Sequence, residues 1–397
     1  MFLVMSKAWS GLSKPTLGSI LNLADFEEAA RQTFSEKAWA FISSAATDCN
    51  TVTRNESFFS RIWLRPMVLR NVKDVDTSTR ILGQQVNMPL FVSPAGLASL
   101  VQPEGEKDIA RGCSKLGVPQ CISTNASFDL EEIVKAASSE HPFYLQLYVS
   151  QDRARTVSLL TRAKEAGITT IFLSVDAPVP GKREADERVP ADTNLTAPMA
   201  GGPAANDKTG GGLARIMGSY IDSSLQWSDL DWLRQVWDGK IVIKGIQRAE
   251  DARRACAHGV EGIILSNHGG RALDTAPPAI MLLLECRLHC PEIFSKLEIF
   301  IDSGICRGTD IFKCLCLGAT AVGLGRPFLY ALNYGQEGPE HLIDLLQDEL
   351  KTTMKLMGVT KLSECHPDLI NTRELVQLVP EMLEPSSIEH LTRKAKL

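Results

Sequence analysis

The sequence predicts an α/β fold, a (β/α)8 TIM barrel with an N-terminal helical segment and a C-terminal helical tail. Apolar, β-rich runs recur eight times over about 240 residues, separated by helix-length segments. Several of those segments stop at a glycine suited to a left-handed turn before the next run, as in "KLGV", "EAGI", "AHGV" and "CLGA". The rival architecture, a doubly wound open sheet, calls for a Gly-x-Gly-x-x-Gly turn after its first strand. None follows "PLFVSP" at Pro89.

In chain order, residues 1–85 read as a helical segment packing on the barrel, with "DFEEAARQTF" and "EKAWAFISSAA" as its helices. Residues 86–335 hold the barrel. Its strands are "PLFVSP" from Pro89, "QCIST" from Gln120, "FYLQLYV" from Phe143 and "TIFLSVD" from Thr170. The second half brings "IVIKG" from Ile241, "GIILSNHG" from Gly262, "EIFIDSG" from Glu298 and "AVGLGRP" from Ala321. Runs that are apolar throughout are covered on both faces, as in a parallel sheet. The connection before Ile241 is far longer than an ordinary loop and rich in Gly, Ala and Pro, so 196–219 is expected to be a mobile flap over the barrel mouth. Residues 336–397 return to helix with "EHLIDLLQDELKTTMKLMG" and end in a tail.

The chain has 397 residues, 44% of them hydrophobic and 22% charged, enough for a sizeable core. A net charge of -5 without a basic tract points away from nucleic acid and anionic membranes. The opening "MFLVM" is too short to span a bilayer and lacks the flanks of a signal peptide, so an intracellular protein is expected. Ten cysteines in that setting read as reduced thiols packed in the interior. Cys286 with Cys290 and Cys314 with Cys316 make no CxxC pair, and His289 beside Cys290 does not complete a ligand spacing, so no metal is expected. The Asn-x-Ser/Thr triplets at Asn55, Asn125 and Asn194 carry no meaning in such a chain.

Chemistry is expected where polar residues end the apolar strands, because barrels place their active sites at that face. The run "IILSNHGGRALDT" at Ile263 is the clearest case. The strand ends supply Ser93, Ser123, Gln146 with Tyr148, Asp176, Lys244, His268 with Arg271, Asp302, and Gly325 with Arg326. Histidine is the side chain poised to take a proton near neutral pH, and Asp176 is the carboxylate that would fix its tautomer. Arg271 and Arg183 are candidates for a bidentate clamp on a substrate carboxylate. The set suits proton or hydride removal beside a carboxylate. The glycines after the last two strands, followed by a basic residue, suit a phosphate.

These residues carry a likeness. The chain resembles the FMN-dependent α-hydroxy-acid oxidases and dehydrogenases, which include glycolate oxidase and the flavin domain of yeast-type lactate flavocytochromes. The likeness runs from "KPTLGSILNLADFEEAARQTF" at Lys14 to "LMGVTKLSECHPDLI" at Ile370. "SNHGGR" at Ser266 is its most specific motif, supported by "DAPVPGKREAD", "VIKG", "RGTD" and "GLGRPFLYA". No heme-binding cytochrome domain precedes it, so the flavocytochrome arrangement is not expected.

The resemblance implies FMN as cofactor and oxidation of an L-2-hydroxy acid to the 2-keto acid. It implies His268 as base at the α-carbon with Asp176 paired to it, Arg271 and Arg183 on the carboxylate, and Tyr148 on the hydroxyl. Lys244 would lie by the flavin edge, Ser123 and Gln146 against the ring. Asp302, Ser303, Gly304, Gly325 and Arg326 complete the cofactor set, the two glycines and Arg326 at the phosphate. A small-molecule 2-hydroxy acid, oxygen or another electron acceptor, and a homo-oligomer are the expected partners. The terminal Ala-Lys-Leu resembles the Ser-Lys-Leu peroxisomal address; otherwise a cytoplasmic location is expected.

Departures matter equally. Phe41 stands where the family usually has a Tyr that donates to the substrate carboxylate. Cys306 replaces the first Arg of the family's "DGGVRRG", and Ser303 replaces a Gly there. Losing one charge-assisted contact costs about 1.5 to 3 kcal/mol in FMN binding. Ala272 replaces the usual Gln. Gly96, where yeast-type members carry Ala, and Asn125, where relatives carry Trp or Leu, would open the pocket to a larger or more polar acid. The competing reading is a degenerate relative that has lost flavin and acts as a structural or regulatory partner. The retained His, Lys, Asp and arginines speak for the enzyme.

Overall fold

The computed structural model describes residues 14–190, 195–200, 202–204 and 212–381. Its centre is a closed barrel of eight strands: β1 Leu90–Ala95, β2 Gln120–Ile122, β3 Phe143–Leu147, β4 Thr170–Ser174, β5 Lys240–Ile246, β6 Gly262–Leu265, β7 Glu298–Asp302 and β8 Ala321–Leu324. Neighbours are parallel throughout, and β8 closes on β1. All eight expected strands are present in the expected order. The helix-stopping glycines 117, 167, 259 and 318 all have positive φ, the conformation that ends a helix at small steric cost.

One residue from each strand meets in the barrel interior: Phe91, Cys121, Tyr144, Phe172, Val242, Ile264, Phe300 and Ala321. The aromatic members interlock, with Phe172 stacked on Tyr144 at 5.0 Å and edge-on to Phe91 at 5.7 Å. Gly323 keeps this layer feasible, since a Cβ there would collide with the Phe91 ring and the Ser93 hydroxyl. Side chains alternate along a strand, so the residues two places on share the same interior. Those are Ser93, Ser123, Gln146, Ser174, Lys244, Ser266, Asp302 and Gly323. An apolar layer therefore carries a polar one at the C-terminal mouth.

The segment before the barrel is not purely helical. It contains α1 Leu23–Thr33, α2 Glu36–Ser43 and α3 Asn50–Ser57, with N-caps Asn22 on α1 and Ser35 on α2. A hairpin then pairs Thr79–Ile81 with Gln84–Val86, and its Ile81, Leu82 and Val86 join the interior layer. The hairpin closes the bottom of the barrel. Its three-residue strands are too short to show a period, and Leu82 and Gly83 both turn with positive φ. Trp63–Leu64 pairs with Ile370–Asn371, fastening the end of the chain to its beginning.

The helix Glu337–Met357 confirms the expected helical return. Of the segment expected as a flap, Leu195–Ala197 pairs with Gly202–Ala204, and Leu213 and Met217 pack with Leu97 and Leu195. Residues 201 and 205–211, and the terminal Ala-Lys-Leu, lie outside the described residues. Among the described residues no helix is long and apolar enough to cross a membrane, and no cluster could hold a metal ion.

Because Phe172 touches three aromatic neighbours in a layer sealed at the bottom, Phe172→Ala leaves a cavity that cannot collapse. We expect it to lower unfolding free energy by about 3–5 kcal/mol in urea titration.

Candidate active site

Lys244 sits at the centre of the polar layer. Its Nζ donates to Ser266 Oγ at 2.9 Å and lies 3.4 Å from Asp302 Oδ2 and 3.9 Å from Asp176 Oδ2. Burial by itself would lower its pKa, but the Asp302 and Asp176 carboxylates outweigh burial and raise it. The two carboxylates therefore favour the charged ammonium. Asp302 is held in turn by Ser93 Oγ at 3.2 Å and Ser303 Oγ at 2.9 Å, and Ser303 Oγ accepts the Gly269 N–H at 2.9 Å.

His268 follows β6 in a left-handed conformation, φ 61°, and so do Gly269 and Gly270. Such backbone is unusual for a non-glycine residue and must be held by its surroundings. Ser266 Oγ accepts the His268 N–H at 3.1 Å, and Asn267 Oδ1 accepts that of Gly270 at 3.0 Å. Asn267 is itself locked to Asn55 by reciprocal amide bonds of 2.7 and 2.9 Å. A Cβ at Gly270 would lie 2.7 Å from the Val52 nitrogen, so α3 can approach only because glycine is there. The imidazole Nδ1 is 3.0 Å from Asp176 Oδ1, and Nε2 is 3.4 Å from the Tyr148 hydroxyl. A carboxylate accepts only, so Nδ1 carries the proton and Nε2 is left basic. Burial, with help from Lys244 and Arg183, lowers the His268 pKa, while Asp176 opposes them. The imidazole is neutral and ready to accept.

Arg271 is oriented by backbone alone. Nη1 donates to the carbonyls of Ile42 at 2.7 Å and Ser44 at 2.8 Å, and Nη2 to that of Phe41 at 2.9 Å. These carbonyls lie at the C-terminal end of α2, which favours a cation. Arg183 Nε reaches the Arg271 carbonyl at 3.3 Å. Burial depresses both guanidinium pKa values, and Arg183 and Arg326 depress Arg271 further. None of the three arginines makes a salt bridge among the described residues, so their charge faces the cavity without a carboxylate partner.

That cavity measures about 640 Å3. Ser123, Gln146, Tyr148, Arg183, Lys244, His268, Arg271, Asp302, Ser303, Gly304, Gly325, Arg326, Phe41, Gly96 and Asn125 all line it; Asp176 stands behind His268. All candidates are thus brought together. Gln146 shows what the cavity lacks. Its Oε1 accepts from Thr124 N–H at 3.1 Å and from the hydroxyls of Thr124 at 3.0 Å and Ser123 at 3.3 Å, while its buried Nε2 has no partner. A buried amide donor left open in a polar cavity is available to an acceptor on a ligand. Gly325 opens onto the same space, its nearest neighbour on the Cβ side being Ser93 Cβ at 3.8 Å.

One expectation changes. A Cβ at Gly96 would lie 2.6 Å from the Asn125 carbonyl oxygen and 2.9 Å from Asn125 Cβ. Gly96 therefore lets two loops meet and adds no room to the pocket, contrary to the expected enlargement. Asn125 does present its amide, with Oδ1 3.4 Å from the Tyr220 hydroxyl and Nδ2 without a partner among the described residues. Sequence reasoning also missed Ser266, Asn267, Asn55 and Asp274. The Asp274 carboxylate accepts the Thr51 N–H at 2.8 Å and ties α3 to the catalytic turn. "SN" before "HGGR" was the available signal for the first two; nothing local marks the others.

The chain matches the FMN-dependent dehydrogenase family over residues 30–372. It is 44% identical over 368 residues to L-lactate dehydrogenase (cytochrome) of Saccharomyces cerevisiae, covering 91% of this chain and 62% of that protein. The chain thus spans less than two thirds of that relative's length. It is 34% identical to 2-hydroxyacid oxidase 1 of Homo sapiens, covering 90% of this chain and 98% of that one. Among solved structures, a flavocytochrome b2 variant with pyruvate bound superposes with a TM-score of 0.82 at 41% identity, over 95% of this chain and 92% of the other. Mandelate oxidase with (S)-4-hydroxymandelic acid gives 0.82 at 34% identity, over 89% and 98%.

Asp176 is the one carboxylate that raises the His268 pKa against burial. Asp176→Asn should lower that pKa further, read as an acid-ward move of the imidazole titration by NMR. The sign for stability follows. A base depressed in the folded state contributes fully above its unfolded pKa near about 6.5 and loses that contribution as pH falls through the folded value. The variant should therefore lose stability more steeply below that pH.

Proposed function

The chain belongs to the FMN-dependent dehydrogenase family, and from that premise we propose that it oxidises an L-2-hydroxy acid to the 2-keto acid. The observation that carries the reading is the basic Nε2 of His268, held by Asp176 and facing a cavity lined by carboxylate-free Arg183 and Arg271. Arg271 and Arg183 would bind the substrate carboxylate, and the Tyr148 hydroxyl, beside Nε2, would accept or donate at the 2-hydroxyl. His268 Nε2 then takes a proton from the reacting centre, and Asp176 stabilises the imidazolium.

FMN fits the remaining groups: the open Gln146 amide and Ser123 at its ring, Lys244 as a fixed cation at the ring edge, and Asp302, Ser303, Gly304, Gly325 and Arg326 toward its chain and phosphate. Bound FMN would supply the two-electron acceptor that side chains lack. A structural protein without flavin would have no reason to keep this buried charge, whose desolvation is costly. Oxygen or another electron acceptor completes the turnover; relatives named as oxidases and one named L-lactate dehydrogenase (cytochrome) support the two alternatives. A rice relative named as a peroxisomal (S)-2-hydroxy-acid oxidase, 37% identical over 350 residues, supports a peroxisomal location. We propose a homo-oligomer, the assembly that the sequence resemblance implies.

The substrate is a 2-hydroxy acid larger or more polar than glycolate or lactate. Asn125 offers an unpaired amide donor beside Leu97, Met217 and Ile221, and Phe41 brings a ring without a hydroxyl. A site built to hydrogen-bond one group discriminates against analogues lacking it.

His268→Gln should leave flavin bound and abolish its reduction by substrate in stopped-flow absorbance; an unchanged reduction rate rules out His268 as base. For substrate choice, kcat/KM across L-2-hydroxy acids of rising length should favour a longer or more polar acid. Asn125→Leu should reorder the series. If lactate or glycolate ranks first, or the order survives the substitution, the pocket reading is wrong.

A further inference from the structure

The end of the cavity below the loops after β7 and β8 is where barrels commonly hold a phosphate. Its charges are poorly suited to one. Arg326 is the inner cation, with Nη2 donating to the Gly269 carbonyl at 3.0 Å. Arg307 turns outward, its side chain 52% exposed and 3.3 Å from Glu349. Three backbone donors of the loop after β7 are spent as well. Asp310 Oδ2 accepts the N–H groups of Cys306 at 3.1 Å and Arg307 at 3.0 Å, and Glu349 Oε2 accepts that of Gly308 at 2.7 Å. The first turn of the helix Gly308–Cys316 is thus satisfied by the protein's own carboxylates, which also use the favourable end of its dipole.

Other acidic groups face the same space. Glu27, Glu56 and Asp310 all line it, together with Cys306 and Lys313. Burial raises the Glu56 pKa, Arg326 opposes that, and Glu27 and Asp310 add to it, so these groups share one field. Lys313 is directed elsewhere, donating to the Phe59 carbonyl at 2.9 Å. The Cys306 thiol is kept neutral by burial and by the neighbouring Glu56 and Asp310 carboxyls, and brings no charge. A phosphate dianion here would face one inner guanidinium, Arg326, beside a group of carboxyls, of which burial pushes Glu56 and Asp310 toward the neutral form, so little charge is left to attract it.

We propose that this chain holds its flavin by the ring and ribityl chain, with little gain from the phosphate, so that it accepts riboflavin nearly as well as FMN. The inference rests on the flavin reading above and concerns only how the cofactor is selected. Gln146, Ser123 and Lys244 serve both flavins equally, since neither the ring nor its partners differ between them. Only the end near Arg326 tells them apart.

The test titrates FMN and riboflavin separately into the full chain freed of flavin, reading dissociation constants from fluorescence quenching. For the parent we expect the two constants to agree within about tenfold. Cys306→Arg should tighten FMN by about 10- to 100-fold and leave riboflavin within about twofold, since a charge-assisted contact is restored to the phosphate alone. Glu56→Gln, a change at a cavity-lining carboxyl with no structural bond to lose, should favour FMN in the same direction. A parent preference for FMN beyond tenfold overturns the proposal, as does a set of variants that moves both flavins together. If neither flavin binds the parent, the flavin reading itself fails.

Discussion

The site depends on one buried cation. Lys244 is the counter-charge for Asp302 and Asp176, and each carboxylate does a separate job on its far side. Asp176 fixes the tautomer of His268. Asp302 gathers Ser93 and Ser303, and Ser303 in turn holds the turn that carries His268. Ser266 links the two arms, accepting from both Lys244 and the His268 backbone. Without the ammonium, two carboxylates would stand uncompensated in the barrel, and breaking a buried pair in this way commonly costs about 3–5 kcal/mol. The strained His268 backbone persists because that network over-determines it.

Lys244 can occupy this place because of the strand period. The aromatic layer fixes the register of every strand, and the residues two places further on must then share the interior at the mouth. The hairpin below seals the layer from solvent, so polar groups above it are open to one side only. A slip of one residue in β5 would send Lys244 outward against the helices and bring Ile243 inward. Packing at the bottom and chemistry at the top are therefore one constraint.

What was legible in the sequence is what this period makes local. An apolar run ending in a polar residue is visible in "IVIKG" or "EIFIDSG", so the strands, Lys244, Asp302 and His268 could be read directly. The supports were not legible because their partners are remote in the chain. Asn55 and Asn267 are 212 residues apart, and Arg271 is 230 from the Phe41 carbonyl it binds. A short hairpin has no period to detect, which hid the barrel's bottom. Gly96 was misread because absence of a side chain was taken as space, whereas the Asn125 backbone fills it.

Arg271 bears on the meaning of Phe41. Its guanidinium is aligned by three carbonyls at the end of α2, one of them that of Phe41 itself. A backbone carbonyl is present whatever side chain stands at that position. A ring without a hydroxyl can therefore replace one with a hydroxyl and leave the arginine where it is, with the Phe41 ring still 5.4 Å from the guanidinium. The side chain at this position changes what lines the pocket and leaves the alignment of Arg271 in place. The same separation holds at the other end of the cavity, where Asp310 and Glu349 fix the loop around Cys306 through backbone N–H groups. In both places the backbone network carries the geometry, so side-chain identity is free to set which molecules are accepted.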